Sequence, residues 1–164
     1  MESNKKFFLS FFLILSTFIF DRISKIYIIK KFAETNMQDI YINHYLNLVL
    51  LWNEGIAFGL LQNNGNLYHL LSLIIFIIII YVNYVIYSSK KTYEVICFSL
   101  ISGGAIGNLF DRIYYNAVPD FIDIHFKNFH WFTFNVSDIC ISLGILILIF
   151  SELFNSKSSL EKNE

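Results

Sequence analysis

Asp111 and Asp138 are acids at the ends of two long apolar runs, and their depths match: 17 residues separate Glu94 from Asp111, and 17 separate Asp138 from Asn155. At a rise of about 1.5 Å per residue, each acid lies roughly 25 Å from the far end of its helix. That is just inside one boundary of a hydrocarbon core about 30 Å thick. An acid there costs about 2.5–3.5 kcal/mol on insertion scales, so two at one level call for a reason. Two carboxylates about 4 Å apart repel by about 4 kcal/mol at an effective dielectric of 20, and so hold one proton between them. Such a pair can take a proton from water and give one to a carbonyl oxygen, as aspartic proteases do, with no other nucleophile and no metal. The blander alternative has Asp111 pairing with Arg112 at a helix end and Asp138 capping a helix start.

Helices must carry these acids, and the composition says of what kind. The chain is 55% hydrophobic and only 15% charged, with a single proline, which excludes an ordinary soluble domain and a nucleic-acid binder. Its 164 residues hold about four spans of 20 residues with their connections. The expected spans are Phe7 to Ile29, Leu67 to Tyr87, Val95 to Phe110 and Ile139 to Phe154. They form one membrane domain over 1–154, and the polar tail 155–164 is expected to be disordered. Lys5 and Lys6 before Phe7 imitate a secretory signal, but no small-residue cleavage site follows, so the first span is read as uncleaved. The outer connections, Lys30 to Asn66 and Asp111 to Ser137, contain strand-like alternation at Ile40 to Trp52 and Phe121 to Phe126. Unpaired backbone at a membrane surface is costly, so these strands predict a small sheet. The predicted fold is therefore a membrane four-helix bundle carrying a small extracytoplasmic β-sheet.

Lys5, Lys6, Lys90, Lys91, Lys157 and Lys162 fall on one side of these spans; Arg22, Lys25, Lys30, Lys31, Arg112 and Lys127 fall toward the other. The raw count does not choose an orientation. Both termini are placed in the cytoplasm because four of the second set lie in or beside the first span, and because Lys25 and Arg112 have partners in prospect. Cys97 and Cys140 lie in apolar runs and read as buried thiols. His44, His69, His125 and His130 stand in no metal-ligand motif, so no metal or other cofactor is expected. A proton-coupled transporter would spread polar groups through the membrane thickness, whereas here the acids cluster at one level. A Ser24–Lys25 dyad fails because neighbours on a helix point about 100° apart.

Four motifs follow one another in the chain: D-R-x-S-K at Asp21 to Lys25, N-x-G-x-A-F at Asn53 to Phe58, G-N-x-x-D-R at Gly107 to Arg112, and F-N-x-x-D at Phe134 to Asp138. In this order they resemble the signal peptidase II family, bacterial aspartic endopeptidases that process lipoproteins, over nearly the whole chain. The resemblance implies a catalytic pair at Asp111 and Asp138, with active-site support from Asn53, Gly55, Gly104, Asn108, Arg112, Val118 and Asn135. Asp21 and Lys25 match the first-span motif, where an i,i+4 ion pair is expected. Two residues depart from the family pattern: Ser137, where alanine is usual, and Pro119, which is expected to interrupt its strand locally. The implied substrates are prolipoproteins with a diacylglyceryl-modified cysteine, cleaved just before that cysteine. Membrane lipids are the other implied partners, and a monomer in the bacterial cytoplasmic (inner) membrane, with its site near the extracytoplasmic face, is expected. The resemblance also implies a mobile cover around Asn53 to Leu61. The small residues Gly103, Gly104 and Gly107 form a stripe that could admit a neighbouring helix, a substrate or both.

Overall fold

The computed structural model describes residues 3–160 apart from Asn36, Gln38, 56–64 and Asn128. In chain order the elements are α1 (Ser3–Thr35), β1 (Asp39–Asn43), β2 (Leu46–Asn53), α2 (Gly65–Ser88), α3 (Thr92–Tyr115), β3 (Val118–Phe126), β4 (Phe129–Phe134) and α4 (Val136–Leu160). All four helices are long and apolar enough to cross a membrane. Each extends past its predicted span, because hydropathy marks the lipid-facing stretch and not the point where helical hydrogen bonding stops. The tail expected to be disordered is helical over 155–160, where α4 continues.

Helix α3 is the axis of the bundle and packs against α1, α2 and α4. Its apolar stretch is the least hydrophobic of the four, and half of that stretch is buried, against at most 17% for the other three. A helix surrounded by protein can trade large apolar side chains for small ones that let backbones approach. A Cβ on Gly104 would lie 2.6 Å from the Ser137 carbonyl oxygen of α4, and one on Gly103 would lie 2.9 Å from the Ile14 oxygen of α1. The glycine stripe is thus filled by α1 and α4 and gives no path to a substrate. On the α2 side, Asn83 Nδ2 donates to Ser102 Oγ at 2.8 Å.

The strands form one antiparallel sheet in the order β1-β2-β3-β4. Asn116, in the left-handed conformation at φ 56°, ends α3 and turns the chain directly into β3. Asn53 pairs with Val118 and Trp52 with Pro119, so the proline stays within the ladder instead of interrupting it. Phe121 of β3 packs on Ile28 and Phe32, anchoring the sheet to the end of α1. The far end of β3 turns its polar residues inward: Asp123 is buried while Ile124 and Phe126 are exposed, together with Phe129 and Trp131 of β4. Exposed aromatic residues of this kind suit a sheet lying at a membrane boundary.

Candidate active site

Two groups of acids occupy the sheet end of the bundle. The first joins α1 to α3. Lys25 Nζ lies 2.9 Å from Asp21 Oδ1 and 2.6 Å from Asp111 Oδ2. Arg22 Nη2 reaches Asp111 Oδ2 at 2.7 Å and Asp21 Oδ2 at 2.6 Å, while its Nη1 pairs with Asp111 Oδ1. Two acids and two bases thus neutralise one another with almost no exposure: Asp21 and Asp111 are 0% exposed and Lys25 is 1%. Gly107 leaves room for this cluster, since a Cβ there would lie 2.8 Å from Asp21 Oδ2 and 2.5 Å from Ser137 Oγ. Ser137 contributes its backbone N–H, which donates to Asp21 Oδ1 at 3.1 Å and ties the start of α4 to α1.

The second group faces a groove of about 1020 Å³ between α2 and α4, roofed by the sheet. Asn53, Gly55, Arg112, Asp120 and Asp138 supply its polar wall; Leu71, Ile75, Ile139, Leu143 and Leu146 supply much of its apolar one. Asp111 is not part of this wall. Both of its oxygens are engaged by cations, so the fold does not bring Asp111 and Asp138 together as an open pair. The acid that shares the groove with Asp138 is Asp120, from β3, the strand that follows α3.

Asn135 holds both groove carboxylates. It precedes α4, its side-chain oxygen accepts from the Asp138 N–H at 3.1 Å, and its own N–H donates to Asp138 Oδ2 at 3.1 Å. This reciprocal capping box starts the helix and fixes the acid in its first turn. The remaining Asn135 donor, Nδ2, reaches Asp120 Oδ1 at 2.6 Å. Asn53 Nδ2 donates to the other oxygen of Asp120 at 3.0 Å, and the Gly55 N–H donates to Asn53 Oδ1 at 3.1 Å, which orients that amide. Asn108 Nδ2 donates to Asp138 Oδ1 at 2.8 Å, while its oxygen accepts from Lys25 at 2.9 Å and links the two groups of acids. Among the described residues, neutral amides therefore supply the hydrogen bonds that Asp120 and Asp138 accept. Burial pushes the Asp120 carboxyl up to about 6; the nearby Asp138 charge adds to this, and the Asn53 and Asn135 amides and Lys25 oppose it.

Arg112 also lines the groove. Its Nη1 donates to the Asn108 carbonyl at 3.1 Å, and its buried Nε has no hydrogen-bond partner among the described residues. Val118 is 2% exposed and sits opposite Asn53 in the ladder, setting the height at which Asn53 meets Asp120. Ile56 to Leu61, the main part of the expected cover, lies outside the described residues. Asp120 and Arg22 are the residues that the sequence reading missed. Arg22 lies next to Asp21 within a motif already singled out, and Asp120 is the first of two acids, with Asp123, in the strand that follows α3.

A family model described as signal peptidase (SPase) II matches residues 13–154. The chain belongs to the signal peptidase II family. It is 48% identical over 161 residues to a lipoprotein signal peptidase of Pelagibacter ubique (strain HTCC1062), covering 97% of this chain and 96% of that protein. It is 40% identical to a lipoprotein signal peptidase of Anaplasma phagocytophilum (strain HZ), over 81% of this chain and 84% of that one. It is also similar to a bacterial membrane enzyme solved by the in meso method at 2.3 Å, with a TM-score of 0.73 and 25% identity over 92% of this chain and 90% of that one. A second bacterial membrane enzyme, solved at 1.9 Å, gives a TM-score of 0.71 at 27% identity, over 88% of this chain and 92% of that one. As a signal peptidase II family member with four apolar helices, the chain is a multi-pass membrane peptidase.

Proposed function

We propose that this chain removes signal peptides from diacylglyceryl-modified prolipoproteins, cleaving just before the lipidated cysteine, with Asp120 and Asp138 as its acid and base. The observation that carries this reading is Asn135, one buried residue bonded to two carboxylates on the wall of one groove. Asp120, whose carboxyl is pushed up to about 6, holds the shared proton. Asp138 takes a proton from water as its oxygen attacks the scissile carbonyl, and Asp120 gives its proton to the carbonyl oxygen. Collapse of the tetrahedral adduct breaks the C–N bond. The proton held by Asp138 passes to the leaving amine, and the hydroxyl proton of the adduct returns to Asp120. No metal takes part in these steps. Arg112, which lines the groove with the pair, is suited to hold a substrate carbonyl.

Lipid supplies the register. Two acyl chains in the bilayer hold the modified cysteine at one boundary, and Asp138, in the first turn of α4, lies at that level. With four spans both termini share a side, read here as cytoplasmic, which puts the sheet and groove at the extracytoplasmic face. The chain is read as working alone in the bilayer.

The test is incubation of the purified protein in detergent with matched prolipoproteins, with and without the diacylglyceryl group, following the mass of the released signal peptide. The modified substrate should be cut before its cysteine, and the unmodified one should be cut at least a hundredfold more slowly. Equal specificity constants for the two would defeat the lipid-register argument. Normal turnover by Asp120→Asn together with a folded but inactive Asp111→Asn would return the role of second acid to Asp111.

A further inference from the structure

The far end of the β3–β4 hairpin holds a cluster of side chains that peptide hydrolysis does not use. His125 and His130 face each other across the antiparallel pair, and Asp123 precedes His125 by two residues, with a register shift between them. One ligating atom from each of the three residues lies within 4.8 Å of the others. Asp123 Oδ2 is 2.8 Å from His130 Nδ1 and 3.7 Å from His125 Nδ1. The two imidazoles stack with centroids 5.2 Å apart. Spacing along the chain gave no hint of this, because the hairpin turn is what closes the group.

Two buried atoms here are without hydrogen-bond partners among the described residues. The His125 side chain is 9% exposed, and its Nδ1 makes no hydrogen bond. Asn47, which pairs with Asp123 on β2, has a buried Oδ1 that also accepts nothing. A buried imidazole nitrogen facing a carboxylate, with a second unbonded oxygen nearby, is a poorly satisfied arrangement for the protein alone. A cation would satisfy all of these lone pairs together.

We propose that Asp123, His125 and His130 form a binding site for a divalent transition-metal ion, best suited to zinc. Imidazole nitrogen and carboxylate oxygen are ordinary zinc ligands at about 2.0–2.2 Å, and a tetrahedron with such arms has edges of about 3.3 Å. The separations of 2.8 and 3.7 Å lie on either side of that value. His130, 59% exposed at its side chain, leaves an approach from solvent and a fourth position for water or Asn47. The ion would clamp β3 to β4 close to Asp120 on the same strand. It acts on the stability of the hairpin and touches neither the scissile bond nor the acids.

The test uses the full-length protein in detergent, freed of any polyhistidine tag and stripped of metal by chelation, then titrated with zinc against a chromophoric competitor. One zinc per chain should bind, and the thermal unfolding temperature should rise with zinc concentration. His130→Gln, at an exposed position, should weaken binding at least tenfold and remove the thermal shift while prolipoprotein cleavage continues. His125→Gln provides the same readout should the first variant fold poorly, and Cys140→Ser should change neither quantity. No stoichiometric zinc on the wild-type chain, or wild-type affinity in a folded His130→Gln or His125→Gln variant, would overturn the proposal.

Discussion

The ion cluster of Asp21, Arg22, Lys25 and Asp111 and the groove pair of Asp120 and Asp138 lie side by side, yet their surroundings differ in kind. In the cluster, each carboxylate meets cations with fixed charge, and no face is left for water. In the groove, the carboxylates are held by the amides of Asn53, Asn108 and Asn135, which fix geometry without cancelling charge. Burial alone therefore does not identify a reactive acid. An acid hydrogen-bonded to cations cements helices; an acid hydrogen-bonded to amides, beside a second acid and an open groove, is the one suited to exchange a proton. Asn108 connects the two regions, since Lys25 holds its oxygen and so turns its donor toward Asp138.

The contrast can be broken most severely at the groove. Asp120→Asn and Asp138→Asn should each lower cleavage by about 10²–10⁴-fold or more while leaving helix content and detergent stability near wild type. The double variant should be little worse than either single one if, as proposed, the two acids act as a unit. Additive losses in single-turnover assays would show that they act separately.

The cluster should fail in the other currency. Asp111→Asn and Lys25→Ala each strand opposite charges in a buried place, and should cost about 3–5 kcal/mol of stability. Thermal unfolding in detergent measures this, with cleavage per folded molecule largely retained for Asp111→Asn. Asp21→Ala combined with Lys25→Ala should be milder than the sum of the two, since each single change leaves the other residue unpaired. Strictly additive losses would mean that the two are not energetically coupled.

A smaller effect concerns pH. In the proposed mechanism Asp120 carries the proton, and burial pushes its carboxyl up to about 6, so kcat/KM should fall as pH rises through that value in the free enzyme. Asn53 bonds to the ionised carboxylate and favours it, so Asn53→Ala should move this limb to higher pH. A limb that stays in place when Asn53 is removed would separate Asn53 from Asp120. The smallest effect is that of metal removal. Exhaustive chelation should leave cleavage rates intact below the unfolding temperature, and loss of activity restored by zinc would bring a metal into the reaction itself.

Much of the architecture was legible in the residues. Four apolar runs, strand alternation in two connections and four ordered motifs specify a membrane bundle with a small sheet. Asn53, Gly55, Asn108, Arg112, Asn135 and Asp138 were singled out and lie at or beside the groove. Depth along a helix follows from counting at a fixed rise, so the level of Asp138 could be read directly. The same counting selected Asp111, because it ranks only acids borne by helices.

The set of helices, the level at which the polar groups collect and the family pattern in which they stand are all written in the order of the residues. How those groups are shared out depends on the assembled fold. Asp120 reaches the groove through the turn at Asn116 and the pairing of β3 with β2, a path whose height cannot be counted along the chain. Arg22 and Lys25 take Asp111 because α1 packs against α3 at Gly107, where a missing Cβ makes room for the Asp21 carboxylate. Partners so distant in the chain are chosen by packing, and packing is a property of the assembled helices and strands together.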